Sequence, residues 1–498
     1  MNNEPSFYTI KKLVILLIGV SLFSNSIACT TIIVGKSATT DGSILVGRSV
    51  DTPTANKAVR FVYHKPRKQP YVFKSIITNK FTYQMPANTM GYSGVPDWNT
   101  NNSTFEEVGF NDAGVGISAT ETIFSNKQTL EVDPYVETTG IGEEAIPSIL
   151  LPQIKSAKQG VEMLGKVIET VGSSEGFGVV FVDKNEVWYL ENAGGHRWAA
   201  VRVPDNSYFI SANQSRIGEI DLDDKKNFLG SKDLIHFAVE HGLYNPTHDG
   251  KFIFSKVYGI DGMSDMSYNY PRVMELQAKY TANTKNHHVA NDNEFPVFLK
   301  PDHKLSVSDV ENGLQLYYKG TDHDPYTKQN PKETHRPISV YRTQQSHVLQ
   351  VRDQLPFPIA NVEYLSLGMS TLSFYVPFYQ GAKIPQIYQT ATNIADDVSA
   401  YWKFRKLQIL AMINFPKYAP IIQKKFAMLN QETLDRQKQF ERKYIKAYTK
   451  NPRAAQKLLD KFTIQTVDIV FKNVDELTNQ LLTIQSAYIS DTYSFVGA

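Results

Sequence analysis

The stretch CTTIIVGKSATTDGSILVGRSVD, residues 29–51, decides how the rest of this sequence is interpreted. It contains two runs of apolar and β-branched residues, TTIIVGK and ILVGRSVD, which are joined by a turn sequence with Asp41 and Gly42. Such runs on either side of an Asp-Gly turn are typical of a β-hairpin. The stretch begins with Cys29, the one cysteine among 498 residues. A hairpin here would return its last residues, GRSVD, to the side of this thiol.

The residues before Cys29 have the pattern of a secretion signal. Lys11 and Lys12 precede the apolar run LVILLIGVSLF (13–23), and the small residues Ser26 and Ala28 occupy the −3 and −1 positions before Cys29. The apolar run is too short to span a bilayer stably. We therefore interpret residues 1–28 as a signal peptide and expect an exported, periplasmic or secreted chain that starts at Cys29.

Composition argues against several classes of protein. Lys and Arg number 52 against 50 Asp and Glu, and the basic residues are scattered, so nothing favours nucleic acid as a partner. After the signal, no stretch approaches the roughly 18 apolar residues of a membrane helix, and we expect no membrane association of the mature chain. The motifs of zinc proteases, serine hydrolases and P-loop nucleotide-binding proteins are missing.

The pattern along the chain predicts an α+β fold with a helical C-terminal region. Strand-like runs precede and follow two predicted helices, at 142–155 and 157–171. Residues 281–335 are polar and predict a surface insertion. From 392 to 498 the apolar residues follow helical periodicity, and prolines mark the breaks between the predicted helices. This order of elements is typical of a layered α+β domain over 29–391.

Cys29 has three interpretations on chemical grounds. If the signal is removed before it, its own α-amine, with a reference pKa of about 7.7 to 8.0, can act as the base for its thiol. Alternatively the cysteine is a lipid attachment site, although position −3 is Ser26 and not the usual large aliphatic residue, and lipidation would block the amine. The third possibility is a thiol without a role.

Arg48 and Asp51 lie at the end of the predicted hairpin, in GRSVD. Beside Cys29, the permanent charge of Arg48 would favour the thiolate, and Asp51 could orient the amine through hydrogen bonds. A surface arginine and a surface aspartate without catalytic consequence are the alternative interpretation. His196, in GGHRW, is predicted to pack in a turn.

Several segments together resemble the dipeptidase A and secernin group of cysteine peptidases, within the N-terminal nucleophile hydrolase superfamily. They include residues 29–51, GFNDAGVGISATET, the block VWYLENAGGHRWAAVRVPDNSYFISANQSRIGEID, and YNYPRVMEL. The resemblance covers nearly the whole mature chain. It implies a four-layer αββα catalytic domain and hydrolysis of dipeptides by Cys29, without a metal or an organic cofactor.

The same resemblance implies roles for individual residues. Arg48 and Asp51 match the positions that flank the nucleophile, Asn213 in SANQSR matches an oxyanion-hole asparagine, and Arg272 in YNYPRV matches a second active-site arginine. The other oxyanion position of the superfamily falls near Thr120 and Glu121, where a backbone N–H could serve as the donor.

Two other functions remain open on the sequence. One is an acylase-type amidohydrolase on the same scaffold, which would cleave N-acyl amides. The other is a lipid-anchored binding protein without turnover. The helical region 392–498 carries no catalytic signature, and we expect it either to pack on the catalytic domain or to mediate self-association into a homo-oligomer.

Overall fold

The computed structural model describes residues 29–52, 57–75, 79–98, 105–260, 262, 265–283, 294–327 and 335–494. For Thr120 and Glu121 it describes the backbone and not the side chains. The predicted signal peptide, residues 1–28, lies outside the described residues.

The predicted hairpin forms the centre of a seven-stranded antiparallel sheet. Strand β1 (Thr30–Val34) pairs with β2 (Ile44–Asp51), with Thr31 opposite Arg48. The other strands are β12 (Tyr208–Ser211) and β14 (Phe298–Leu299) beside β1, and β15 (Thr343–Val351), β16 (Asn361–Leu367) and β17 (Val376–Tyr379) beside β2. This arrangement places β1 and β2 among buried neighbours on both sides, in agreement with their continuous apolar runs.

A second antiparallel sheet of six strands lies over the first. Its order is β13 (Phe228–Gly230), β11 (Arg197–Arg202), β10 (Val187–Ala193), β9 (Phe177–Val182), β8 (Gly116–Thr122) and β7 (Val108–Phe110). Two small strand pairs accompany it, β3 (Val62–His64) with β6 (Tyr92–Gly94), and β4 (Tyr71–Lys74) with β5 (Thr82–Met85).

The two large sheets pack face to face because side chains alternate along each strand. Ile33 and Val46 of the first sheet share a buried core with Val180 of the second. The rings of Tyr189 on β10 and Phe209 on β12 lie 4.6 Å apart between their centroids. The apolar faces of the two sheets are thus buried against each other.

Helices cover the outer face of each sheet. The outer face of the first sheet packs against α7 (Tyr270–Tyr280) and α8 (Val307–Leu314), and that of the second against α2 (Ile146–Leu150) and α3 (Ala157–Val171). The predicted four-layer αββα architecture is confirmed. The remaining short helices are α1 (Lys127–Val132), α4 (Leu234–Glu240), α5 (Phe254–Tyr258), α6 (Asp265–Tyr268), α9 (Phe357–Ala360) and α10 (Gln386–Gln389).

The helix predicted at 157–171 has these same bounds in α3, whereas the one predicted at 142–155 is shorter. Residues Glu143–Ala145 form a 3-10 turn and only Ile146–Leu150 are α-helical. Pro152 lacks the N–H that would continue the helical hydrogen bonds. Five α-helical residues therefore stand where the periodicity predicted a longer helix.

The predicted surface insertion at 281–335 is in part core. Helix α8 lies within it, and Val310 and Leu314 are fully buried against the first sheet. Gly47 on β2 allows this approach, since a Cβ at that position would lie 2.4 Å from Cγ1 of Val310. Residues 284–293, which include the His287–His288 pair, lie outside the described residues.

Three long helices complete the chain: α11 (Ala400–Ile413), α12 (Phe415–Lys450) and α13 (Pro452–Thr492). Phe404, Ile422 and Val470, one from each helix, belong to the same buried core as Leu367 and Val376 of the first sheet. The helical region therefore packs on the first sheet. Within the described part of the chain, no helix combines the length and hydropathy needed to cross a lipid bilayer.

Candidate active site

Cys29 lies directly before the central strand β1 and is 0% exposed. Pairing of β1 with β2 places Thr30 opposite Ser49, so the end of β2 runs past the cysteine. The charges of Arg48 and Asp51 both act on the thiol, and the backbone of Asp51 forms a hydrogen bond with it. The hairpin thus brings together the three residues that the sequence placed at its ends.

Arg272 joins the nucleophile segment to two other elements. Its Nη1 donates to the carbonyl oxygen of Cys29 at 2.5 Å and to Oγ1 of Thr30 at 2.8 Å. Its Nη2 donates to Oδ1 of Asn213 at 2.9 Å and to Oδ1 of Asn269 at 2.6 Å. Burial, together with the charge of Arg336, lowers the pKa of Arg272 to about 9. This guanidinium therefore holds Cys29, the end of β12 and the start of α7 in one arrangement.

Asn213 lies at the end of β12 with its side chain turned toward the second sheet. Its Nδ2 donates to the carbonyl oxygen of Thr122 at 3.1 Å, and the carbonyl oxygen of Asn213 accepts a hydrogen bond from Nδ2 of Asn269 at 3.0 Å. The end of β8, with Thr120 and Glu121 just before Thr122, is thereby positioned beside the predicted oxyanion asparagine. The oxyanion role of Asn213 stays a prediction.

Asp51 has a partner that the sequence did not indicate. Its Oδ1 accepts a hydrogen bond from Oγ1 of Thr343 at 2.5 Å, and its Oδ2 forms a buried ion pair with Arg336. Arg336 and Asp51 are separated by 285 residues in the chain. No local motif around Arg336 marks it as a site residue, so only the folded arrangement reveals the pair.

Glu107 is a second residue that sequence reasoning missed. It lies just before β7, and its Oε2 is 3.5 Å from Nη2 of Arg48, with both side chains buried. Burial raises the pKa of Glu107 to about 7, although the charge of Arg48 acts in the opposite direction. The sequence does contain one indication of this residue, because Glu106 and Glu107 directly precede an apolar strand. A carboxylate is costly to bury in a core unless it has a partner there.

Burial raises the pKa of the Cys29 thiol above its ordinary range. Arg48 lowers this pKa, as expected from the sequence, but Glu107 and Asp51 raise it, and burial is the largest contribution. The net result in the full-length chain is a raised thiol pKa, although Arg48 acts in the direction that its charge predicts. In that chain the nitrogen of Cys29 is a peptide nitrogen, which has no basic lone pair.

Two histidines lie near these elements, and both already have hydrogen-bond partners. His347, opposite Arg48 on β15, contacts Oγ of Ser118 at 2.9 Å and Oε1 of Gln345 at 3.0 Å. Burial and the charge of Arg48 hold the pKa of His347 well below its usual range. His196 lies in the turn between β10 and β11, with Nδ1 2.8 Å from Oδ1 of Asp133.

One cavity of the molecule lies away from Cys29. A cavity of about 440 Å³ lies at the turn end of the hairpin, between residues 40–42, the start of α8 and α12. None of the residues around Cys29 line it. Across the described ranges, no three His, Cys, Asp or Glu side chains form a group that could hold a metal ion. The chemistry of the side chains, and not cavity size, identifies the candidate site.

Comparison with known proteins identifies similar sequences and structures. A probable dipeptidase of Salmonella dublin is 46% identical over 357 residues, which cover 72% of this chain and 82% of that protein. Probable dipeptidase B of Lactococcus lactis subsp. lactis is 34% identical over 401 residues, which cover 79% of this chain and 83% of that protein. The solved structure of penicillin V acylase from Agrobacterium tumefaciens aligns with a TM-score of 0.29 and 13% identity over 68% of this chain and 82% of the acylase. Residues 28–427 match the model of Peptidase family C69, and the chain belongs to this family.

Proposed function

We propose that this member of peptidase family C69 is an exported dipeptidase that hydrolyses dipeptides through a thioester on Cys29. Dipeptide hydrolysis is supported by the family and by relatives that are named dipeptidases. The observation that carries the mechanism is the position of Cys29 at the start of a central strand. There Arg48, Asp51 and Arg272 all act on it.

Removal of residues 1–28 would supply the missing base. The peptide nitrogen of Cys29 would become an α-amine with a reference pKa of about 7.7 to 8.0, within reach of its own sulfur. The backbone of Asp51 already contacts the thiol, and Asp51 follows closely after Ser49, the residue opposite Thr30, at the end of β2 that runs past Cys29. Export and activation would then be one event.

The catalytic cycle follows from these groups. The α-amine accepts the thiol proton, and the sulfur attacks the scissile carbonyl carbon to give a tetrahedral oxyanion. Asn213 and a backbone N–H stabilise this oxyanion, and loss of one such donor typically costs about 2.7 to 4 kcal/mol. The protonated amine then gives its proton to the leaving amine, and a thioester remains on Cys29. A water molecule, deprotonated by the same amine, attacks the thioester and releases the free acid and the thiol.

The first test is the N-terminal sequence and intact mass of the protein recovered from its natural export route. We expect an unmodified Cys29 at the terminus. A diacylglycerol group on Cys29, or a terminus at another residue, would contradict the proposed base.

The second test is hydrolysis of a dipeptide by the mature Cys29→Ala and Cys29→Ser variants. We expect no turnover from the first and little from the second, because a hydroxyl is a weaker nucleophile than a thiol at neutral pH. Thermal unfolding of both variants controls for the fold. Turnover by Cys29→Ala at the level of the unsubstituted enzyme would end the proposal.

A further inference from the structure

Glu107 has a carboxylate oxygen that nothing in the described structure engages. The side chain is 2% exposed, and its Oε1 has no hydrogen-bond partner among the described residues. Its other oxygen, Oε2, contacts Nη2 of Arg48 at the long distance of 3.5 Å. A buried carboxylate of this kind is costly unless a cation or donor completes it.

The negative charge of Glu107 disfavours ionisation of the Cys29 thiol, which the proposed mechanism requires. Its negative charge raises the pKa of the Cys29 thiol, and the charge of Asp51 acts in the same direction. Asp51 is held by Thr343 and Arg336, and its backbone contacts the thiol. Glu107 has no step in the proposed cycle, so its charge beside Cys29 requires another explanation.

The chemistry of a dipeptide supplies a cation close to the carbon that the nucleophile attacks. The N-terminal residue of the substrate carries both the scissile carbonyl and a free α-ammonium, separated by one Cα. With bond lengths of about 1.46 and 1.52 Å, the ammonium nitrogen lies roughly 2.5 Å from the carbonyl carbon that Cys29 attacks. A group that binds this ammonium must therefore lie beside the nucleophile, as Glu107 does. N-acyl amides have no charge at this place.

We propose that Glu107 binds the α-ammonium of the substrate's N-terminal residue and thereby makes the enzyme selective for peptides with a free amine. The ammonium donates to Oε1, while Arg48 continues to contact Oε2. This inference rests on the proposed function, because it uses Cys29 as the attacking group.

The electrostatics of the site agree with this assignment. The pKa of Glu107, raised to about 7 mainly by burial, leaves the group partly protonated in the absence of substrate. A bound ammonium favours the ionised form, and a charge-assisted hydrogen bond in a water-poor site is stronger than a neutral one.

The test compares two substrates that differ only in the amine, Ala-Ala and its des-amino analogue propionyl-Ala, on the mature enzyme and on Glu107→Gln. For the variant we expect kcat/KM for Ala-Ala to fall about 100-fold, mostly through KM, as a buried ion-pair partner is lost. For propionyl-Ala we expect a change of less than about 3-fold. The ratio of the two values is the readout, because a purely structural defect lowers both equally.

Glu363→Gln is the matched control, since Glu363 is also a buried glutamate and lies on β16, outside the residues that act on Cys29. It should leave the ratio unchanged.

Equal losses for both substrates in Glu107→Gln would overturn the inference and would assign Glu107 to the fold or to the amine of Cys29. If the Glu107→Gln variant does not fold, the comparison of Ala-Ala with propionyl-Ala on the unsubstituted enzyme tests the inference. Equal turnover of the two substrates would exclude an ammonium site. Turnover by Cys29→Ala would instead refute the proposed function, whatever Glu107 does.

Discussion

At Cys29, burial and a neighbouring charge act on the thiol in opposite directions. Arg48 favours the thiolate, yet burial dominates and the pKa of the thiol lies above its ordinary range. The sequence could predict the sign of the arginine's contribution, because it follows from charge alone. It could not predict the burial or the presence of Glu107, because both depend on strands that meet only in the folded chain.

Arg272 makes the contacts that best test the geometry of the site. Arg272→Lys keeps the charge but cannot reproduce four hydrogen bonds from two guanidinium nitrogens. We expect dipeptide turnover to fall about 100-fold or more, since small displacements of catalytic groups have effects of this size. Arg352→Lys is a suitable control, because Arg352 is also a largely buried arginine but contacts Glu441, remote from Cys29. A similar loss of activity in both variants would contradict a specific role for Arg272.

Glu363 should make stability depend on pH. Neither of its carboxylate oxygens has a hydrogen-bond partner among the described residues, and burial raises its pKa to about 8. The folded state keeps a proton that the unfolded chain releases near pH 4.3. The stability that Glu363 contributes is therefore complete below about pH 4.3 and is lost as the pH rises to about 8.

Glutamine does not titrate, so the Glu363→Gln variant lacks this loss of stability at high pH. The free energy of unfolding of the variant minus that of the unsubstituted protein should therefore be larger by a few kcal/mol at pH 9 than at pH 5. Denaturant unfolding at pH 5, 7 and 9 measures this difference. Parallel pH profiles for the two proteins would show that Glu363 does not titrate with the predicted pKa.

Among the elements, those with a local signature were predictable. The β1–β2 hairpin and α3 have the bounds that their periodicity indicates. Helix α8 was missed within a polar segment, although Val307, Val310 and Leu314 have helical spacing and Ser306 and Asp309 form a capping box at the start of the helix. Helix α8 packs against Gly47, which is distant from it in the sequence. The periodicity of apolar residues indicates local structure and does not reveal such a contact.

The contact of α3 with the second sheet offers a test at the level of one element. A Cβ on Gly165 would lie 2.2 Å from the ring of Trp198, which is held by a hydrogen bond of 2.9 Å to Glu169. Alanine favours a helix over glycine by about 1 kcal/mol, but overpacking of this kind costs about 1 to 3 kcal/mol. We expect Gly165→Ala to lower the melting temperature, whereas Lys166→Ala, at the exposed neighbouring position, should have little effect. A stabilised Gly165→Ala protein would show that the ring moves freely.

At the level of the whole molecule, the helical region supports the site through Arg405 on α11. Its Nη1 donates to the carbonyl oxygen of Tyr341 at 2.6 Å, and its Nη2 to that of Thr343 at 3.0 Å. Thr343 in turn donates to Asp51. The sequence indicated that this region is helical, but it could not indicate that a buried arginine reaches back to the strand beside β2.

Arg405→Met should therefore lower kcat at temperatures well below its melting point, with a smaller effect on KM, because Arg405 acts through Thr343 and Asp51 and not on substrate. Arg405→Lys should recover part of the activity. Lys403→Met, which removes a surface contact of the same helix with Asp475, serves as the control. A lowered melting temperature with unchanged kcat would limit Arg405 to a structural role.

The position of Cys29 at the start of β1 also restricts how the protein can be engineered. In the proposed mechanism the base is the α-amine of Cys29, so a purification tag fused directly to Cys29 would convert that amine into an amide and remove the base. The end of α13 has no such restriction, because Tyr493 just after it is 69% exposed. Affinity tags, fluorescent reporters and surface-immobilisation linkers therefore belong after α13.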